Sequence, residues 1–179
     1  MQRLNILFLT ILFITSCQSG DTEKLVPVEN KYSISIPSFL IKTNTLNEDA
    51  SLQYLNAWKE FYVIVIDELK SEMLKALVDN DLTDEYSNDL KGYSDLILDN
   101  FELSISISHK SDIVDTFINN MPARLLTING QAEGIDIFYS LAFIQGHERY
   151  YQIMTWTLSS KEHDYKDKMN KILYSFKEL

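Results

Sequence analysis

Residues 123–158 read ARLLTINGQAEGIDIFYSLAFIQGHERYYQIMTWTL, and this stretch decides the fold. Apolar and polar residues alternate through much of it, the spacing at which side chains of a strand share a face. The pattern predicts a strand over Ala123 to Ile128, a hairpin turn at Asn129-Gly130 and a long return strand over Gln131 to Ile144. Ile135, Ile137, Tyr139, Leu141 and Phe143 then fall on one face. Gln145-Gly146-His147 makes the next turn. Tyr150 to Leu158 follows as a further strand, with Tyr150, Met154, Trp156 and Leu158 on one side.

Outward from this core the pattern changes period. Ser159 with Glu162 reads as a capping box, and Tyr165, Met169, Ile172, Leu173 and Phe176 line a final helix. Toward the N-terminus, Tyr32, Ile34 and Ile36 alternate with serines in a half-buried strand closed by Pro37. Leu52 to Ala57 and Phe61 to Ile66 make a strand pair. The second is apolar throughout, so both of its faces are expected to be covered. Leu69 to Val78 suits a short helix. Thr83 is a candidate N-cap for a second one, with Asp84 and Glu85 favourable near its positive end. Tyr86, Leu90, Tyr93, Ile97 and Phe101 form that helix's apolar stripe. Leu103, Ile105 and Ile107 alternate with serines and suit either a strand or the tail of the helix.

The order of these pieces carries a resemblance. A strand ending in Ile36-Pro37, a hairpin and a helix precede Ile128-Asn129-Gly130-Gln131-Ala132. A long hairpin through Tyr150-Tyr151, then Trp156-Thr157, leads to a last helix closing on Ser175-Phe176-Lys177. This resembles the PsbP-like family, named for an extrinsic subunit of photosystem II, whose fold a Ran-binding factor of nuclear transport shares. The likeness runs over about residues 30–179. It implies an α+β fold, an antiparallel sheet between helical layers in an α/β/α sandwich, and a binding or assembly module rather than an enzyme. No residue that PsbP uses for photosystem or metal contacts has a matching position here, so none is carried over.

The first residues point to the envelope. Arg3 precedes an apolar run from Leu4 to Ile14, about half the ~20 residues that span a bilayer. Ile14-Thr15-Ser16-Cys17 resembles the lipobox of bacterial lipoproteins. That resemblance implies cleavage after Ser16 and acylation of Cys17, with palmitate or similar chains. Residues 1–16 are thus expected as the signal peptide, 17–30 as lipidated cysteine and polar tether, and 31–179 as a single domain. Gln18, not Asp, follows the cysteine, so nothing resembles an inner-membrane retention signal. The expected location is the outer membrane, facing the periplasm rather than the surface.

Composition narrows the function further. Cys17 is the one cysteine, so no disulfide forms within the chain. The signal carries Arg3 alone; the remaining 163 residues hold 15 basic and 26 acidic side chains, a net charge of −11. Such a chain repels phosphate backbones, which excludes nucleic acid as a main partner. It repels anionic headgroups too, so membrane contact is expected through the lipid and not the protein surface. An unknown envelope protein is the expected partner.

Catalytic and metal patterns are weak. The acidic run Asp79 to Glu85 lacks the Gly and Glu that a calcium loop needs at its sixth and twelfth positions. Glu133 and Asp136 stand three apart on a strand, on opposite faces. His109, His147 and His163 have no ligand-spaced companions. Catalytic, cofactor-binding and metal residues are therefore expected to be none, and Cys17 is the one site residue. Trp156 reads as core, while Tyr151 suits either a buried place under a helix or a binding face. A pocket between the sheet and a helical layer, taking a small molecule or a substrate, is the alternative function.

Overall fold

The alternating stretch becomes the middle of an eight-stranded sheet in a computed structural model that describes residues 22–179. The elements are β1 (Glu23–Val28), β2 (Tyr32–Pro37), β3 (Ile41–Lys42), β4 (Ala50–Asn56), β5 (Phe61–Leu69), α1 (Lys70–Asp79) and α2 (Leu90–Ser104). Then come β6 (Ser106–Lys110), β7 (Val114–Ile118), β8 (Met121–Ala132), β9 (Ile135–Gln145), β10 (Arg149–Leu158), α3 (Glu162–Tyr174) and β11 (Lys177–Glu178). The large sheet runs β3-β4-β5-β10-β9-β8-β6, with β7 also paired to β8. A small sheet runs β1-β2-β11, and all pairings are antiparallel. Residues 1–16, expected as the signal peptide, and Cys17 lie outside the described residues.

Strand periodicity divides the core in two. Val63, Val65, Phe138, Ala142, Ile144, Tyr151 and Ile153 pack with Met169, Ile172, Leu173 and Phe176 of the C-terminal segment and with Tyr32, Ile34 and Ile36 of β2. Ile64, Tyr139, Leu141, Phe143, Tyr150 and Met154 pack with Met73 and Leu77 of α1 and with Leu90, Tyr93 and Leu98 of α2. Both faces of β5 are covered, as its apolar run requires. The α+β sandwich stands, with one layer built from α3 and the small sheet together. β1 lies within the stretch whose polarity suggested a tether, and it pairs with β2 along its whole length.

Three local expectations are overturned. Asn129 and Gly130 are paired residues of β8, opposite Phe138 and Ile137; the hairpin turns at Glu133-Gly134, both at positive φ (52° and 82°). A Cβ on Gly130 would stand 3.0 Å from the Ser106 carbonyl oxygen, so this glycine serves close strand approach. The Ser159–Glu162 capping box does not form. Residues 159–161 make a 3₁₀ turn, while Ser159 Oγ and Glu162 Oε2 reach the Asn129 amide at 3.3 and 3.4 Å. The cap of α2 is Asp89, not Thr83. The backbone at Ser87 lies over Gly92, where a Cβ would meet the Ser87 oxygen at 1.8 Å, so residues before Asp89 fold across the first turn instead of extending it. The segment left open between helix and strand is both: Leu103 and Ser104 end α2, and Ser106 begins β6.

Asp89 Oδ1 accepts the Gly92 N–H at 2.8 Å. That bond, and a second from Ser87, hold the Asp89 carboxyl below its ordinary value. Asp89→Ala is expected to cost about 1 kcal/mol at neutral pH, read by urea unfolding. A carboxyl depressed in the folded state contributes stability above its unfolded pKa of about 3.9 and loses it as pH falls through the lower folded value. The gap between variant and wild type should therefore close in acid.

Candidate functional site

Between the second half of α2 and the large sheet lies a cleft of about 470 Å³. Its helical wall carries Ile97 and Phe101 of α2, with Ile105 just past the helix end; its sheet wall carries Ile64 and Ile66 of β5, Tyr139 of β9, and Gln152, Met154 and Trp156 of β10. Leu46 and Asn47 close one side. Their loop is held by Gln53, whose buried amide accepts the Leu46 and Asn47 N–H groups at 2.9 and 3.1 Å and donates to the Asn47 carbonyl.

The wall is fixed because the first half of α2 is clamped. Tyr93 stacks on Tyr150 (4.6 Å, 16°), meets Phe143 edge-on and donates its hydroxyl to Glu68 at 2.7 Å. Arg124 of β8 bonds Asp95 at 2.9 Å, Ser94 and the Lys91 carbonyl on α2, and Asp115 on β7. Burial works against the Asp95 charge, but Lys91 and Arg124 outweigh it and hold the carboxyl below its ordinary value. Farther along the helix, Phe101 meets Tyr139 edge-on at 5.0 Å.

Among the described lining residues no carboxylate, imidazole, amine or thiol is present; the polar side-chain groups are those of Asn47, Asn100, Ser104 and Gln152, the Tyr139 phenol and the Trp156 indole N–H. Burial raises the Tyr139 pKa above its ordinary value, so the phenol stays neutral near neutral pH. The cleft can hold apolar groups and hydrogen-bond amides, but its walls offer no acid or base for proton transfer near neutrality.

Trp156 is a wall of this cleft and not a fully enclosed core residue. It is half-buried, stacked on Tyr62 at 5.1 Å and 7°. Alternation gave its face, but it could not show that the layer above is open there. Trp156→Ala is accordingly expected to destabilise by less than the about 3–5 kcal/mol of an enclosed aromatic, in a chemical melt. Tyr151 lies buried instead, between Tyr32 and Phe176, with its hydroxyl on Glu178 at 2.9 Å.

A second charge cluster joins strands rather than lining the cleft. Asp67, almost enclosed, takes Arg149 at 2.7 Å and Lys31 at 3.2 Å, joining β5, β10 and the β1–β2 turn. Lys70 donates to the Gly146 and His147 carbonyls. The other sequence candidates remain apart. Asp79 pairs with Lys75, and Asp81 sits in a turn at φ 57°. Glu133 is in the β8–β9 turn, while Asp136 on β9 accepts from Gln131. His109 is on β6, the His147 N–H is held by Glu178, and His163 is in the first turn of α3. Among the described residues, no group of three or more His, Cys, Asp or Glu could hold a metal ion, and no helix is long and apolar enough to cross a membrane.

No family model matches the chain, and no curated protein sequence does. Solved structures do. The cyanobacterial PsbP protein CyanoP from Synechocystis superposes with a TM-score of 0.56 at 10% identity, over 93% of this chain and 99% of that one. The fold is PsbP-like. The Saccharomyces cerevisiae Ran-binding protein Mog1p matches with a TM-score of 0.54 at 11% identity, over 87% of this chain and 95% of its own. LpqN, involved in cell envelope biogenesis of Mycobacterium tuberculosis, matches with 0.54 at 11%, over 88% and 90%. At these identities the likeness concerns architecture alone: a PsbP-like sheet covered on both faces.

Proposed function

We propose that this is a lipid-anchored, non-catalytic envelope protein whose PsbP-like domain binds a protein partner through the α2–sheet cleft. The observation that carries the reading is the cleft's lining, aromatic and aliphatic with amides as its main polar groups and no acid–base pair. Such walls suit apolar side chains and the peptide bonds beside them. The fold supports it as well, since one solved protein of this architecture is a Ran-binding protein and another takes part in cell envelope biogenesis. Cys17, with its lipobox, supplies the anchor, and the outer membrane facing the periplasm is the proposed location.

A photoreactive amino acid at Asn100, exposed on the cleft rim, tests this in intact cells, with Lys171 on α3 as the control position. A discrete protein adduct from position 100 alone is expected, weakened by Trp156→Ala. The same adducts from both positions, or none, would count against the cleft. A second reading keeps the cleft and changes its occupant: about 470 Å³ also suits a small apolar molecule. A small molecule retained by the purified protein in native mass spectrometry, and lost with Trp156→Ala, would favour it.

A further inference from the structure

Trp58 is 96% exposed, the most open of the large hydrophobic side chains among the described residues. Tryptophan is on average well buried, and an exposed indole suits a boundary between apolar and wet surroundings. The turn that presents it, between β4 and β5, is firmly held. Asn56 accepts the Lys59 N–H at 2.9 Å and donates to the Phe39 carbonyl at 2.8 Å, while Lys59 Nζ lies 5.2 Å from the Phe39 ring centroid. Lys161 Nζ reaches the Lys59 carbonyl at 3.2 Å.

The same contacts lead to the start of the domain. Ser38, beside Phe39, donates its N–H to the Thr22 carbonyl at 2.7 Å, and their hydroxyls meet at 2.7 Å. Thr22 is five residues from Cys17 in sequence. Five residues reach at most about 17 Å, whereas a domain of this size is about 40 Å across. An acylated Cys17 therefore holds the Trp58 end of the domain near the bilayer and keeps the opposite end away.

We infer that the anchored domain rests on its membrane with this end, the Trp58 indole seated in the headgroup layer. The inference depends on the lipid anchor proposed above. Trp prefers that layer, and lysine stems lie well along it. Lys24, Lys59 and Lys161 stand at this end beside Glu23 and Glu60, so its charge is mixed within a strongly acidic chain. Ile41, 69% exposed, is in register with Leu55, the neighbour of Asn56. The expectation that the protein surface avoids the membrane rests on net charge alone, and this inference departs from it at one end of the domain.

The test uses the acylated full chain in phosphatidylethanolamine–phosphatidylglycerol vesicles, with or without brominated acyl chains. Subtracting the emission of Trp58→Phe isolates Trp58 from Trp156, and flotation reads anchoring independently. The expected result is a floated protein whose Trp58 emission is strongly quenched by brominated lipid, with a several-fold fall in acrylamide quenching relative to unacylated Cys17→Ala protein. Floated protein with Trp58 as open to acrylamide as in that control would overturn the inference while leaving the anchor intact. So would an indole shielded from acrylamide yet untouched by bromine, since a protein contact would then cover it. Protein that does not float refutes the anchor, and this orientation with it.

Discussion

Cys17→Ala is expected to shift the protein from the membrane fraction to the soluble fraction and to abolish incorporation of labelled palmitate. The effect should be nearly complete because membrane binding by lipid chains is steeply dependent on their number. Each buried CH₂ contributes about 0.8 kcal/mol; one acyl chain binds reversibly, and stable anchoring takes a second. All of these chains would be carried by one residue. Among the described residues no helix can replace them. The Trp58 end offers one indole and a few lysine stems, which orient an anchored domain but do not hold a free one. Equal palmitate labelling of the variant and the wild type would refute acylation at Cys17.

The largest expected loss of stability is Tyr93→Ala. Tyr93 is 1% exposed, stacks on Tyr150, meets Phe143 edge-on and gives its hydroxyl to Glu68. Truncation leaves a cavity under α2 and a Glu68 oxygen without its donor. An enclosed aromatic cut to alanine costs about 3–5 kcal/mol, on the order of 10 °C in melting temperature for a domain of this size. Tyr93→Phe keeps the ring and should cost about 1 kcal/mol. If the two variants melt together, packing around the ring is not what holds the helix. Burial, reinforced by Glu68, also lifts the Tyr93 hydroxyl well above the ordinary tyrosine range. A group raised in the folded state contributes stability that is fully present below its unfolded pKa, about 10, and is lost as pH climbs toward the folded value. Wild-type stability should thus fall in strong alkali, and Tyr93→Phe should soften that fall.

The large sheet was legible in the sequence because it is covered on both sides. Alternation along β9 and β10 names residues of the correct faces, and the apolar run of β5 announces two covers. What misled was Asn129-Gly130. As a dipeptide it signals a hairpin turn. In the fold the asparagine ties β8 to Ser159 and Glu162, and the glycine lets Ile105 and Ser106 approach. The same contact removes the capping box, so two misreadings share one cause, a pairing of residues about thirty apart. Tyr86 fitted the helical stripe by spacing, yet it stands before the helix, with its hydroxyl on Asp99 at 2.8 Å. The cleft was only half legible. Its sheet wall follows from alternation through Tyr139, Met154 and Trp156. The opening above them depends on how the second half of α2 sits, which periodicity does not encode.

The small sheet joins the two ends of the described chain. β2 lies between β1 and β11, and the Ser35 N–H donates to Ser175 Oγ across 140 residues of chain. Closing so long a loop costs entropy before any contact returns it, and chains dominated by such distant pairings fold slowly. Until residues 175–178 have joined, Tyr32 lacks its Phe176 neighbour and one cover of the central sheet is incomplete. One cover of the sheet is thus closed by the last residues of the chain meeting some of the first described ones, like a clasp that fastens only when both ends arrive.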